Sequence, residues 1–188
     1  MCRAGAAHTF LGQIGGHRGL TISMASHIAA EAAISPGSLY QFFSNKEEIA
    51  QALATRYTEE LQQAYDSVFS VEAAALPFSL WLDQIIDTLL AFHFAHPAFL
   101  VLLHAPVSSH VTHLTNALPQ ELQSHFEKGF QRRAPTLATT QLHLSATMSV
   151  EFFKAALLLI LRAGEDERER IVAELKRALH CYLEPLLA

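Results

Sequence analysis

The sequence predicts an all-α protein, with a small N-terminal head over residues 1–50 and a larger helical bundle over residues 51–188. Three observations predict it. Apolar residues recur at three- and four-residue spacing along most of the 188 residues. No run of alternating β-branched residues reads as a strand. Glycine and proline are few inside the periodic stretches, so breaks between helices stand out. Because 51% of residues are hydrophobic and 16% charged, the chain has enough apolar surface for a sizeable core of helix packed on helix.

The head is organised by Leu20 to Ile49, LTISMASHIAAEAAISPGSLYQFFSNKEEI. Ile28, Ala29, Ala32 and Ala33 fall on one face of a short helix, with Ser23 as its cap. Ser35 followed by Pro36 starts a second helix: a hydroxyl cap, then a proline where no N–H is needed. Leu39 and Phe43 are its buried edge, while Ser38, Tyr40, Gln41 and Phe42 face outward or sideways. Ser44 and Asn45 end it, and Lys46-Glu47-Glu48 opens a third helix. Two short helices joined by a small-residue turn make a helix-turn-helix, whose second helix enters the major groove of DNA. Periodicity alone would carry the reading only as far as a helical hairpin.

The stretch Ala32-Ala33-Ile34-Ser35-Pro36-Gly37-Ser38-Leu39-Tyr40-Gln41-Phe42-Phe43-Ser44-Asn45-Lys46-Glu47 closely resembles the helix-turn-helix signature of the TetR family of transcriptional regulators. Ala33 stands where that signature usually has glycine. The resemblance covers about thirty residues, and beyond them it is one of helical layout. It implies a homodimeric, ligand-responsive repressor on a palindromic operator of double-stranded DNA. Residue by residue it implies that Ser35, Pro36 and Gly37 bring the helix N-terminus to the backbone. Ser38 and Gln41 read base edges, Gln41 being suited to adenine. Tyr40 and Lys46 hold phosphates, and Ser23 and Met24 lie near the backbone. Phe42 departs from the family, which more often has a polar residue or tyrosine there; a thymine methyl or a sugar is a surface it could pack against.

The first nineteen residues fit less well. Gly12, Gly15 and Gly16 fall inside the expected first helix, each costing about 1 kcal/mol relative to alanine. That helix is expected to be short, with Phe10, Leu11 and Ile14 as its apolar stripe. Residues 1–50 carry Arg3, Arg18 and Lys46 against Glu31, Glu47 and Glu48, so the head is neutral although phosphate contacts supply much of the affinity for DNA. These points define an alternative: a helical dimer with a vestigial reading head, binding a small molecule or protein without specific DNA binding.

Further along, Ile49, Leu53, Tyr57, Leu61 and Tyr65 repeat every four residues and predict a long helix from Lys46 to about Ser70. Residues 71–77 read as a break. Phe78–His96 is the next helix, with Trp81, Ile85, Leu89 and Phe92 on one face, stopped because a residue before proline avoids the helical region. A short helix over Ala98–His104 follows. Residues 107–115, VSSHVTHLT, read as a loop or frayed turn, and Pro119–Arg132 as a helix. Two closing helices, Ala138–Ala163 and Glu165–Leu187, complete the chain. In the last, Ile171, Leu175, Ala178, Tyr182 and Leu186 recur at a spacing near 3.5, and the helix before it has more apolar surface than one core covers. That predicts a four-helix homodimer interface over residues 138–187, as the family resemblance also implies.

The composition argues against several other functions. A net charge of −5 does not suit a general nucleic-acid coat. Cys2 and Cys181 are far apart and lack metal spacing, which suits a reducing cytoplasm. Residues 1–20 lack the continuous apolar core of a secretory signal. Leu142–Ala163 is apolar enough to suggest a membrane span, but His143, Glu151 and Lys154 interrupt it and no membrane association is expected. Eleven histidines raise the question of metal. His93 and His96, like His110 and His113, are three apart, but a third ligand at a defined offset is missing, as is any His-Glu-x-x-His. Without a Gly-x-Ser-x-Gly or a phosphate-cradling loop, neither an enzyme nor a cofactor is expected. The resemblance implies instead a small-molecule cavity in the bundle. Trp81, Phe92, His96, Phe99, Leu103, Phe126, Phe130, Met148 and Phe152 are the candidates to line it, with His96 or Glu151 as the polar contact. Taken singly, each of these aromatics fits plain core better.

Overall fold

The computed structural model describes Ser35, residues 43–104 and residues 108–187. Among these residues it has seven helices and no strand: α1 (Lys46–Val68), α2 (Val71–Ala74), α3 (Phe78–Ala95), α4 (Pro97–His104), α5 (Ser109–Arg133), α6 (Thr139–Arg162) and α7 (Glu165–Leu187). The all-α expectation holds.

Helix α1 starts at Lys46, as the sequence predicts, and its cap explains why. Asn45 Oδ1 accepts from the backbone N–H of Glu48 at 2.9 Å, and the Glu48 carboxylate accepts from the N–H of Ser44 at 2.8 Å. Two amides that a helix start would leave open are satisfied reciprocally. All five residues of the predicted stripe, Ile49, Leu53, Tyr57, Leu61 and Tyr65, are buried. Ser70 then caps the single turn α2, accepting from Ala73 N–H at 3.0 Å, so the predicted break contains a short helix.

Helix α3 ends one residue before the predicted His96, and Pro97 opens α4 at the position where a missing N–H costs nothing. The main departure is α5. VSSHVTHLT is helical from Ser109, with Pro119 inside the helix. Val111 is fully buried and Thr115 nearly so. The Thr115 hydroxyl donates to the Val111 carbonyl at 3.0 Å, and that of Thr112 to the Ser108 carbonyl, also at 3.0 Å. Burial of the β-branched residues, with their hydroxyls turned back on the helix, overrides their weak helix propensity.

The chain forms two compact units, residues 1–60 with 95–117, and residues 61–94 with 118–188. In the second, α6 and α7 pack against each other, and α7 buries Leu175, Leu179, Leu183 and Leu187 at strict four-residue spacing. Arg168 of α7 closes the end of α6, donating to the carbonyls of Ile160 and Ala163 at 3.3 Å each, while its guanidinium lies 4.8 Å over the Phe94 ring. Lys176 pairs with Asp87 at 2.8 Å and His180 with Asp83 at 3.0 Å, joining α7 to α3. By length and composition α6 could cross a membrane. It nonetheless carries nine buried positions from Leu142 to Leu161, as expected of a helix packed inside a bundle.

Candidate functional site

Of the predicted DNA-contacting residues, Ser23, Met24, Pro36, Gly37, Ser38, Tyr40, Gln41 and Phe42 lie outside the described residues. Ser35 is exposed, and Lys46 is the first residue of α1. The Asn45–Glu48 cap fixes the start of the long helix directly after this stretch of sequence.

The candidate ligand residues divide between the two units. In the first, His96, Phe99 and Leu103 lie on or beside α4. The His96 imidazole lies 4.7 Å from the ring of Tyr57, tilted 49° to it, and Tyr57 meets Phe99 edge-on at 5.7 Å. Its Nε2 lies 2.9 Å from Glu60 Oε2, and Arg56 Nε donates to Glu60 Oε1 at 2.7 Å. Leu103 is half-buried. Gln51 Nε2 donates to Ser108 Oγ at 3.5 Å, a second link from α1 within this unit.

In the second unit, Trp81, Phe126 and Phe130 are buried and join a ring cluster with Phe69. Phe69 meets Trp81 and Phe126 edge-on at 6.1 Å and 5.2 Å, and Trp81 meets Phe130 at 6.2 Å. These are favourable aromatic geometries. Trp81 Nε1–H donates to the Val68 carbonyl at 2.9 Å, satisfying its polar end. Arg133 spans the edge of the cluster. It donates to the carbonyls of Ala74 at 2.7 Å and Leu76 at 2.9 Å, with its guanidinium 5.2 Å from the Trp81 ring and 5.6 Å from that of Phe78. Burial lowers its affinity for the proton from the usual arginine value. Arg132 donates to the Phe69 carbonyl at 2.8 Å.

His125 flanks the same cluster, its ring 5.0 Å from Tyr65 and 5.4 Å from Phe69. Burial, reinforced by Lys128, holds its imidazole below the ordinary histidine value. Burial, with Glu121 adding, pushes the Tyr65 phenol well above its usual range. Phe92 meets His93 at 5.6 Å, and His93 meets Phe153 at 6.1 Å. Met148 and Phe152 are half-buried on α6, Phe152 against Tyr182 of α7 at 5.8 Å. Glu151 is exposed and pairs with Lys154 at 2.8 Å.

Several of these partners were not among the sequence-derived candidates: Glu60, Tyr57, Phe69, His125 and Arg133. Tyr57 carried a signal, as a member of the α1 stripe. Arg133 lies one residue past the predicted end of the Pro119–Arg132 helix. Glu60 and His125 have no local pattern that marks them. His93 and His96 belong to different units and have different neighbours. Among the described residues no group of three histidine, cysteine, aspartate or glutamate side chains is placed to hold a metal ion.

Comparison with known families matches the chain at both ends. Residues 16–53 match the family described as bacterial regulatory proteins, tetR family. Residues 77–183 match the tetracyclin repressor-like C-terminal domain. No curated protein matches the chain. The first match spans the reading motif and the start of α1, and the second spans the helical bundle. The chain therefore belongs to the TetR family of DNA-binding transcriptional regulators.

Proposed function

We propose that the protein is a ligand-responsive repressor that binds a palindromic operator as a homodimer and releases it when a small apolar or aromatic effector binds. The observation that carries this reading is the reading motif itself, Ser35-Pro36-Gly37-Ser38-Leu39-Tyr40, a few residues before the capped start of α1 and inside the matched N-terminal family segment. Residues 1–50 are its DNA-binding domain and residues 51–188 its ligand-binding and dimerisation domain. Ser38 and Gln41 read bases, while Tyr40 and Lys46 hold phosphates.

The dimer is assigned to the outer face of the closing helices. Leu144 and Leu159 of α6 are exposed at 52% and 58%, and they support that assignment as large apolar residues on one side of the helix. Met148 and Phe152 on α6 and Tyr182 and Leu186 on α7 are only half-buried and extend that surface. Two copies would place their recognition helices in successive major grooves about 34 Å apart. An effector acts only through differential affinity: it releases the dimer by preferring the state with the heads wrongly spaced. The density of aromatic side chains supports an apolar or aromatic effector. Because His96 Nε2 faces Glu60, an effector reaching that nitrogen competes with a carboxylate. A repressor of bacterial genes works beside the chromosome, which assigns it to the cytoplasm, and no catalytic step is assigned to any residue.

The test is fluorescence anisotropy against the DNA flanking the protein's own gene, at two salt concentrations. Tight binding that depends on a palindrome is the expected result. Weak binding indifferent to sequence overturns it in favour of a vestigial reading head, the reading that the neutral charge of residues 1–50 would favour. With a mapped site in hand, a panel of aromatic ligands is screened for release from DNA and for a shift in melting temperature.

A further inference from the structure

We propose that Gln123, Glu127 and His143 form a binding site for one divalent transition-metal ion on the surface of the second unit, tying α5 to α6. The inference concerns metal binding alone and stands whether or not the protein acts as a repressor.

Gln123 and Glu127 are four apart on α5 and so share a face of it. His143 comes from α6, and all three residues belong to the second unit. Three of their side-chain atoms meet in a triangle. Glu127 Oε1 lies 2.8 Å from His143 Nδ1. The Gln123 amide nitrogen lies 2.9 Å from the same carboxylate oxygen and 3.1 Å from the same imidazole nitrogen.

Protons cannot satisfy all three edges while Glu127 is ionised. Nδ1 has a single in-plane position, which holds either a hydrogen or a lone pair. With the hydrogen there, Nδ1 donates to Glu127, and the Gln123 N–H then faces another donor. With the lone pair there, Nδ1 accepts from Gln123, and two acceptors then face each other at 2.8 Å. Turning the amide over brings its oxygen to the carboxylate, again two acceptors, at the 2.9 Å edge. A cation removes the conflict. With the amide oxygen turned inward and Nδ1 deprotonated, all three atoms offer lone pairs and none needs a hydrogen.

The size of the triangle suits such an ion. Ligand atoms about 2.1 Å from a metal and at right angles to each other lie about 3.0 Å apart, close to the edges of 2.8, 2.9 and 3.1 Å. One imidazole nitrogen with a carboxylate and an amide oxygen is the donor set of a first-row divalent ion such as Ni²⁺, Zn²⁺ or Mn²⁺. The His143 side chain is 66% exposed and that of Glu127 36%, which gives the ion entry and leaves water its remaining positions. The third ligand is an amide, so no trio of histidine, cysteine and carboxylate side chains marks the place among the described residues.

The experiment titrates the full chain, stripped with a chelator, with Ni²⁺, Zn²⁺ and Mn²⁺ by calorimetry at neutral pH. Melting temperature is read with and without each ion. Wild type should bind one ion per chain at this site, Ni²⁺ more tightly than Mn²⁺, and gain melting temperature with it. His143→Ala and Glu127→Gln should each weaken binding by at least about tenfold, since changes even outside the ligand shell reach that size. Gln123→Glu adds a charge to the ligand set and should tighten it by about tenfold. These side chains lie at the surface, and far-UV circular dichroism of each variant without metal checks that the fold is kept. Mn²⁺ should broaden the ring signals of His143, identified by their absence in His143→Ala, before those of the other histidines.

Absence of binding overturns the site. So does binding that His143→Ala and Glu127→Gln leave unchanged, because the ion is then held by other histidines. Binding lost in His143→Ala but indifferent to Gln123→Glu overturns the trio, since residue 123 is then no ligand.

Discussion

Gly129 of α5 lies directly beneath the indole of Trp81: a Cβ at residue 129 would stand 2.8 Å from Cζ2 and 2.9 Å from Cη2. These are atoms of a rigid ring whose Nε1–H is already committed to the Val68 carbonyl and whose neighbours are Phe69 and Phe130. The ring has nowhere to retreat. Gly129→Ala gains up to about 1 kcal/mol of helix propensity, while overpacking a close-packed core costs about 1–3 kcal/mol. The expected net effect is a loss of stability, read as a lower melting temperature together with an altered tryptophan emission. An unchanged or raised melting temperature would show that the indole can move.

Arg133 is the second member of this cluster that resists substitution. Its planar head meets two carbonyls and two aromatic faces, which a lysine cannot reproduce with a single ammonium. Arg133→Lys keeps the charge and is expected to lose about 1–2 kcal/mol, in line with hydrogen bonds to charged groups. Urea unfolding monitored by far-UV circular dichroism measures it.

The cap at the start of α1 gives a prediction that couples stability to DNA binding. Asn45→Ala removes the acceptor for the Glu48 amide and should cost about 1 kcal/mol. Because the cap joins α1 to the reading segment, operator affinity should fall as well, with no change in its salt dependence, since no phosphate contact is lost. A loss of stability without a loss of affinity would show that the head holds its position independently of the cap.

His125 makes part of the stability pH-dependent. Burial holds its folded-state imidazole below the ordinary value, so below the unfolded value of about 6.5 the unfolded chain binds more protons than the native one. Its native environment therefore carries no penalty above that pH, and stability is lost as the pH falls through the window below it. Denaturant unfolding from about pH 7.5 down to about pH 5 should show a decline that is shallower in His125→Gln, which keeps an amide able to meet Gln62.

On DNA the two kinds of contact should separate. Tyr40→Ala is expected to weaken binding on every sequence, whereas Gln41→Ala should relax preference at one base pair, at about 1–3 kcal/mol of discrimination. Anisotropy against a set of single-base operator variants distinguishes them, and equal losses from both on all sequences would refute the assignment.

By itself the sequence determined the helical class, the reading motif, and which faces of α1 and α3 turn inward. The five residues from Ile49 to Tyr65 that recur every four positions are all buried, as are Trp81, Ile85, Leu89 and Phe92. Periodicity of this kind is local, and burial follows from it directly. The tertiary structure decided whatever depends on a partner distant in the chain. VSSHVTHLT is polar and β-branched by composition, and it is helical because Val111 and Thr115 find a core to enter. The predicted dimer stripe of the last helix is largely half-buried or exposed, at Ile171, Ala178, Tyr182 and Leu186, while the inward stripe runs Leu175, Leu179, Leu183, Leu187. An amphipathic pattern gives a helix's apolar faces without saying which one its own chain covers. The site residues divide the same way. The rings of Trp81, Phe126 and Phe130 were legible as apolar periodicity. Glu60 against His96, Arg133 under two carbonyls and Gly129 under Trp81 were not, because each is defined by a contact across more than thirty residues of chain, and side-chain chemistry alone does not specify where such a contact falls.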